Sequence, residues 1–511
     1  MSAASAPESA SPDVRTLVAR ALVGAIFLTM LYGAWRVYWV GQALFGVCLL
    51  AASLGFLLIF GFRRFYFARF IFPGIATLLL FVAFPILYTI YLGFTNYGSF
   101  NLLTFNRVTE VLLSTTTVDA STERPFTLVA DGSRYRVFFP EGPGGMLSES
   151  LALDGQAVRV ASTRVAQAPE EVLGMREAVK LRNALAAVTV VLPEGTELQA
   201  AGLRKFAAVT PEYELQADGT LRSVVSGDVL TADHSTGFYR TRAGENITPG
   251  WRTFIGLGNF QRIAQSEGIR KPMLQIFGWT VFFAAASVLL TFALGVVLAV
   301  ILQWPHLRFK SAYRVLLILP YAVPAFISIL VFRGLFNQNF GEINLILEAL
   351  FQVRPSWFTD GTLARSMLLL VNTWLGYPYM LLLAMGFLQA VPEEHKKAAA
   401  LEGAGALRVF FRITLPQILP PFLPLLLASF AFNFNNIVLI LLLTRGLPDT
   451  PGTLIPAGET DILGSFTYRI AFMDTGTQFG LAGAITLLIF VLVSVMAYAN
   501  FVAMRRATRR G

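Results

Sequence analysis

Hydropathy along the chain is organised in long blocks. Uncharged stretches long enough to cross about 30 Å of hydrocarbon occupy 37–62, 70–91, 274–302, 315–332, 366–391, 421–444 and 475–504. An earlier run, 21–35, is short, but Arg20 and Arg36 at its ends can snorkel. These runs predict about eight transmembrane helices. Between the third and fourth lies a polar segment, 96–271, with a different pattern. Its residues 126–130 and 134–139 alternate in polarity around Asp131-Gly132, and Asp154-Gly155 and Asp218-Gly219 sit between similar runs. Those dipeptides are hairpin chemistry. One amphipathic helix is expected over 169–187, with Pro169 near its start and Glu170 and Glu171 in the first turn. The fold class is therefore an all-α polytopic membrane protein carrying a large inserted α+β domain.

Composition excludes a soluble enzyme. Of 511 residues, 55% are hydrophobic and 14% charged, against about 25% charged in soluble domains. Charge placement sets the expected topology. The insert holds 18 Lys and Arg against 19 Asp and Glu, which leaves 22 against 12 for the rest. With the N-terminus inside, sixteen of those 22 basic residues fall on cytoplasmic segments and six outside, as the positive-inside rule requires. Both termini are then cytoplasmic and the insert is external. The net charge of +9 thus reflects topology and gives no support to nucleic-acid binding. Residues 1–15, rich in Ser, Ala and Pro, lack a basic start and read as a disordered cytoplasmic tail.

Cys48 stands alone and rules out a disulfide within the chain. His234, His306 and His395 are far apart, so no metal site is expected. No Gly-Lys dipeptide occurs, hence no phosphate-cradling Walker loop. The seven clean spans contain no Asp, Glu, Lys or Arg, whereas ion-coupled carriers usually need intramembrane polar or charged groups. No catalytic residue is expected. A neutral pathway without its own energy source suggests a channel, or a pump powered by another subunit.

Three local patterns bear on function. The loop after the sixth helix reads Glu393-Glu394-His395-Lys396-Lys397-Ala398-Ala399-Ala400-Leu401-Glu402-Gly403-Ala404-Gly405, then Phe411-Arg412-Ile413-Thr414-Leu415-Pro416. This predicts a short Ala-rich helix stopped at Gly403, then an amphipathic piece ending at Pro416. A rigid helix between Gly-bounded turns suits insertion into a partner's groove; a polar loop on the membrane surface has the same composition. Ser429, Phe432, Asn433 and Asn436 fall on one face of the seventh helix, and Asn372, Gly376 and Tyr379 on one face of the sixth. Amides, hydroxyls and rings suit a neutral sugar, while interhelical hydrogen bonding is the alternative. Pro320 and Pro324 bracket Tyr321 and allow a kink there, as a gate or as a static bend.

The loop resembles the "EAA" coupling loop of ABC importer permeases, whose pattern is E-A-A-x-x-x-G followed by I-x-L-P. Further strings resemble the maltose/maltodextrin branch of that family, in its larger permease subunits: Ala428 to Asn436, Leu319-Pro320-Tyr321-Ala322-Val323-Pro324, Asn372 to Tyr379, and Thr467 to Phe472. The match is specific from about Thr248 onward and continues in layout through eight helices and an insert after the third.

That resemblance implies an ABC importer permease fold. It divides the chain into a tail (1–15), transmembrane helices one to three (16–95), a periplasmic insert (96–271) and a permease core (272–511) with its coupling loop at 390–416. It implies a bacterial inner-membrane location. The implied partners are a second, smaller permease, a homodimer of a cytoplasmic ATPase, a periplasmic sugar-binding protein and membrane lipid. Mg-ATP would be used by the ATPase, and this chain binds no cofactor. The implied sugar site comprises Tyr321, Asn372, Leu375, Gly376, Tyr379, Ser429, Phe432, Asn433 and Asn436. ATPase coupling would fall to Lys397, Ala398, Ala399, Glu402, Gly403 and Ala404. Lys397 stands where the pattern has Glu, so that contact with the ATPase would be remade by Glu393, Glu394 or Glu402, or by an acidic groove. The rivals are trehalose import, a passive sugar channel, or a membrane receptor sensing through the insert.

Overall fold

The computed structural model describes residues 14–508 apart from 170, 171, 174–178, 203 and 474–476. The chain divides into two compact units, Phe100–Thr253 and the remainder.

Among the described residues of the helical unit, seven helices are long and apolar enough to cross a membrane, or eight if one bent pair counts as a span. α1 (Val14–Trp39) and α2 (Ala43–Gly61) form a hairpin. The expected break at Arg36 does not occur. α1 runs on to Trp39, and the chain turns at Gly41, whose φ is +88°. There Gly41 N–H bonds to Tyr38 O at 3.0 Å and Gln42 N–H to Val37 O at 3.2 Å, a Schellman turn. A long charged side chain does not end a helix; a glycine in left-handed conformation does. α3 covers Ala68–Gly93.

Among the described residues the insert, Phe100–Thr253, has two larger sheets, each with its own core, and a two-stranded pairing of Thr116–Val118 with Val209–Pro211. The larger sheet has eight strands, in spatial order Arg124–Pro125, Lys205–Ala207, Glu197–Ala200, Val188–Val191, Val158–Val165, Gly144–Ser148, Arg134–Glu141 and Thr127–Asp131. All pairings are antiparallel except Val158–Val165 with Val188–Val191. The Asp131-Gly132 signal marks a hairpin in which Asp131 faces Arg134. Asp218-Gly219 closes another, with Leu215 facing Leu221. Asp154-Gly155 instead lies in the irregular connection 149–157, so it closes no tight hairpin. The continuous helix expected over 169–187 is not found. Residues 170, 171 and 174–178 lie outside the described residues, Val172 and Leu173 pair in extended form with Val129 and Leu128, and the described end contains one helical turn, α5 (Arg182–Leu185). Leu128, Val137, Phe139, Val190, Leu198 and Phe206 form the core of this sheet.

The smaller sheet is a five-stranded meander from Tyr213 to Ile247. It packs on α4 (Phe105–Leu113), whose Val108 and Leu112 meet Leu221, Leu230 and Tyr239. The fully buried Tyr239 keeps its hydroxyl satisfied by Thr109 Oγ1 at 2.9 Å. The α+β expectation thus resolves into a β-rich insert.

The helical unit resumes with α6 (Gly258–Gln265) and α7 (Glu267–Gln303). α8 (Lys310–Ala322) and α9 (Ala325–Leu335) follow, then α10 (Glu342–Phe351) and α11 (Gly361–Gln389). α7 and α11 lie so close that a Cβ on Gly295 would stand 2.7 Å from Met380 Cβ and 2.8 Å from the Leu381 nitrogen. Small residues at such positions let membrane helices approach by van der Waals contact alone.

Candidate functional site

Between Gln389 and the next span the chain folds into α12 (Glu393–Leu401). Glu393 and Glu394 occupy its first turn, where carboxylates favour the positive helix end. Lys397 Nζ stands 3.2 Å from Glu393 Oε2, one turn back. Glu393 is therefore already engaged by the lysine that replaces the pattern's Glu. Gly403, at φ +81°, ends the helix in a complete Schellman motif. Its N–H bonds to Ala400 O at 3.0 Å and Ala404 N–H to Ala399 O at 2.9 Å. Ala398 and Glu402 lie exposed on this unit, and Leu401 and Leu407 flank it at 90% and 75% exposed.

The piece after Gly405 does not end at Pro416. It continues as α13 (Ala406–Phe434), a 29-residue span. The reason is local. Residues Phe410–Thr414 form one π-helical turn just before Pro416, and the wider turn accommodates a ring that has no N–H to donate. The segment after Gly405 is thus continuous with a helix long and apolar enough to cross a membrane.

The long seventh helix also ends earlier than its hydropathy predicts. α13 stops at Phe434, and α14 (Ile437–Leu443) begins after Asn435 and Asn436. The Asn436 side chain accepts from the Leu439 N–H at 3.4 Å, capping α14. Asn436 therefore does not share the face of Ser429, Phe432 and Asn433; it sits past the helix end. Asn side chains compete for backbone groups, which favours such a break.

Asn372 on α11 and Asn433 on α13 are brought together. Asn372 Nδ2 donates to Asn433 Oδ1 at 2.7 Å, and Asn433 Nδ2 donates to Ser429 O at 2.8 Å. Both amides are buried in the chain. Gly376, one turn from Asn372, faces α7, where an added Cβ would stand 2.8 Å from Thr291 Cγ2. Leu375 is half-buried against the cluster of Trp279, Phe283 and Val371. The exposed members of the set are Tyr321, Tyr379 and Phe432. Geometry thus divides the expected site into an amide bridge holding two helices together and three aromatic rings free to meet a ligand or another chain.

Tyr321 lies at the end of α8, where the fifth span breaks. α8 and α9 meet at 91°, far beyond a proline kink. Val323 between them is extended and Pro324 caps α9. The Tyr377 hydroxyl of α11 donates to Leu317 O at 2.9 Å and anchors α8.

Sequence reasoning missed one cluster. Asp461, fully buried, accepts from Arg469 Nη1 at 2.7 Å, from Ser465 Oγ at 2.8 Å and from the Gly458 N–H at 2.9 Å. Arg469 Nη2 also reaches Asp449 at 2.5 Å. Burial pushes the Asp461 carboxyl up while Arg469 pulls it down. This pair ties α15 (Leu463–Phe472) to the loop after α14. Arg469 stood in a quoted string, but nothing in its spacing paired it with Asp461. Among the described residues no group of three or more His, Cys, Asp or Glu is placed to hold a metal ion.

Two family models match the chain. Residues 103–256 match the maltose transport system permease protein MalF P2 domain. Residues 291–506 match the binding-protein-dependent transport system inner membrane component. Over 493 residues the chain is 46% identical to the maltose/maltodextrin transport system permease protein MalF of Escherichia coli strain K12, covering 95% of this chain and 96% of that protein. It is 45% identical to the MalF of Klebsiella aerogenes over the same shares. To that of Vibrio cholerae it is 44% identical, over 98% and 97%. The chain belongs to the MalF family of maltose/maltodextrin transport system permease proteins.

Proposed function

We propose that this chain is the larger transmembrane subunit of an ATP-driven importer, forming with a second, smaller permease a pathway for maltose and maltodextrins by alternating access. Both termini and the 390–416 segment face the cytoplasm, and the insert between α3 and α7 faces the periplasm, where it helps dock a sugar-binding protein. The distribution of basic residues supports this orientation. The chain itself catalyses no covalent step and binds no nucleotide. Mg-ATP is hydrolysed by a pair of ATPase subunits that grip α12.

The observation carrying this reading is the exposure of the α12 turn. Leu401 and Leu407, almost bare on either side of the Gly403 turn, require a cover that this unit does not supply. A groove in a partner provides it. Because α12 runs through the Schellman turn and the π-turn into α13, movement of that groove tilts α13 and with it Asn433. The amide bridge then transmits the tilt to α11. Tyr321, Tyr379 and Phe432 offer ring faces to the apolar side of a sugar, and the amides of Asn372 and Asn433 offer donors and acceptors to its hydroxyls. ATP-Mg closure of the ATPase pair is the energy source for this cycle.

The test is reconstitution of the chain with the second permease, the ATPase and the binding protein. Maltose and maltotriose are expected to stimulate ATP hydrolysis, and trehalose is not. An assembled complex whose ATPase ignores all three sugars would sink the reading.

A further inference from the structure

A cavity of about 870 Å³ opens between the N-terminal ends of α7 and α11. It lies apart from the amide bridge and the α12 turn. Its lining combines polar side chains, among them Gln275, Thr362, Arg365 and Glu459, with the apolar Phe282 and Leu369. Arg365 is held in place: its Cζ lies 5.0 Å from the Trp279 ring centroid, and its Nε donates to Glu459 O at 2.8 Å. Its Nη2 stands 4.0 Å from Glu459 Oε2, and the two side chains are 36% and 41% exposed. The Glu459 carboxylate packs where a Cβ on Gly361 would lie, at the positive end of α11. One cation and one anion, both rigid and both reachable, therefore line one cavity.

Depth and surroundings narrow the ligand. α11 has 29 residues, about 43 Å, against about 30 Å of hydrocarbon. Thr362 and Arg365, in its first turn and a half, sit at headgroup depth. Below them the exposed face of α7 continues through Leu274, Gly278, Phe282, Ala285, Leu289 and Val297 at helical spacing. This stripe is apolar throughout and leads out of the cavity along the helix. A sugar has no use for such a track, but an acyl chain does.

We infer that the cavity is a binding site for a zwitterionic, primary-amine phospholipid of the leaflet at the N-terminal ends of α7 and α11. The phosphate pairs with Arg365, the ammonium donates to Glu459, and one acyl chain lies along the α7 stripe. An anionic headgroup without an ammonium is disfavoured by Glu459. A choline headgroup cannot donate to that carboxylate, and Arg365 already occupies the Trp279 ring.

The experiment is native mass spectrometry of the assembled importer, released from nanodiscs containing phosphatidylethanolamine, phosphatidylglycerol and phosphatidylcholine. Phosphatidylethanolamine is expected to stay bound preferentially. Arg365→Gln and Glu459→Gln should each weaken it about tenfold, the equivalent of ~1.4 kcal/mol. Gly278→Phe is the second variant. Gly278 lines the cavity and a Cβ there meets nothing within 4 Å, so a ring at this position stands in the path of the acyl chain without replacing Arg365 or Glu459, and binding should fall with the thermal stability of the complex unchanged. Equal retention of all three lipids, or retention unchanged in Gly278→Phe, overturns the site. Release of the lipid by maltodextrin also overturns it, in favour of a saccharide subsite.

Discussion

Asn372 Nδ2 donates to Asn433 Oδ1 at 2.7 Å within the membrane-spanning helices. Hydrogen bonds of this kind stabilise membrane helix pairs by about 0.6 to 2 kcal/mol. Asn433→Ala should therefore leave subunit assembly intact while cutting maltose uptake at least severalfold, because the same amide serves as bridge and as sugar ligand. Uptake into proteoliposomes and co-purification of the partners report the two effects separately. Loss of assembly with normal uptake per complex would assign the pair a purely structural role.

Gly403 at φ +81° is a position where a side chain strains the backbone by about 1 kcal/mol. Gly403→Val should loosen the turn and lower sugar-stimulated ATP hydrolysis, with little change in the thermal stability of the chain. Lys397→Ala is a companion. Its exposed pair with Glu393 contributes about 0.5 kcal/mol or less, so any large loss of ATPase stimulation reports a contact across the interface.

Gly295→Val places atoms into Met380 and the Leu381 backbone. Overpacking of this kind costs about 1–3 kcal/mol. A lowered unfolding temperature of the detergent-solubilised complex is expected, and Gly278→Ala, with open space around it, should be close to neutral.

Arg469→Met leaves the Asp461 carboxylate buried without its counter-charge, at a cost of about 3–5 kcal/mol. The carboxyl is then easier to protonate than to keep charged. Its folded-state pKa lies above its unfolded value, so the deficit shrinks at low pH and grows as pH rises through the folded value. Thermal melts of the variant between pH 4 and pH 8 check the slope.

In the insert, the side chains of Ser235 and Thr236 donate to Asp233 and hold its carboxyl down at about 2. A depressed acid stabilises the fold above its unfolded pKa and loses that contribution as pH falls toward the folded value. The hairpin pairing Val229–Asp233 with Phe238–Arg240 should keep its amide protection from pH 7 down to about pH 4, and lose part of it as pH falls from there toward about 2. Hydrogen exchange measures this, and Asp233→Ala should remove the acid step.

The spans were legible because hydrocarbon imposes a length and a composition that composition windows read directly. The Asp131-Gly132 hairpin was legible for a similar reason, since it rests on neighbours in sequence. What hydropathy could not show were interruptions that leave it unchanged. The breaks at Val323 and at Asn435–Asn436, and the run of α13 through Pro416, alter hydrogen bonding without altering polarity. Asp461 and Arg469 were separately visible, but their pairing depends on the fold of the intervening turn. For the candidate site, periodicity placed Asn372 and Asn433 each on a face of its own helix and left interhelical hydrogen bonding open as an alternative. The bond between them needed the packing of two helices far apart in sequence, while Asn436 followed the helix only on paper.

The 91° break between α8 and α9 has a further consequence. α8 and α9 have 13 and 11 residues, about 20 and 16 Å, so neither crosses the hydrocarbon unaided. Pro320 withholds the N–H that the Leu316 carbonyl would meet in an unbroken helix, and the Pro320 carbonyl, denied a donor at Pro324, takes the Val323 N–H at 3.4 Å. Part of the polarity at this depth is therefore main-chain polarity. Side-chain scanning is blind to it, because every substitution leaves the carbonyl in place. Only replacing the prolines themselves, and so restoring the missing donors, would dry that surface.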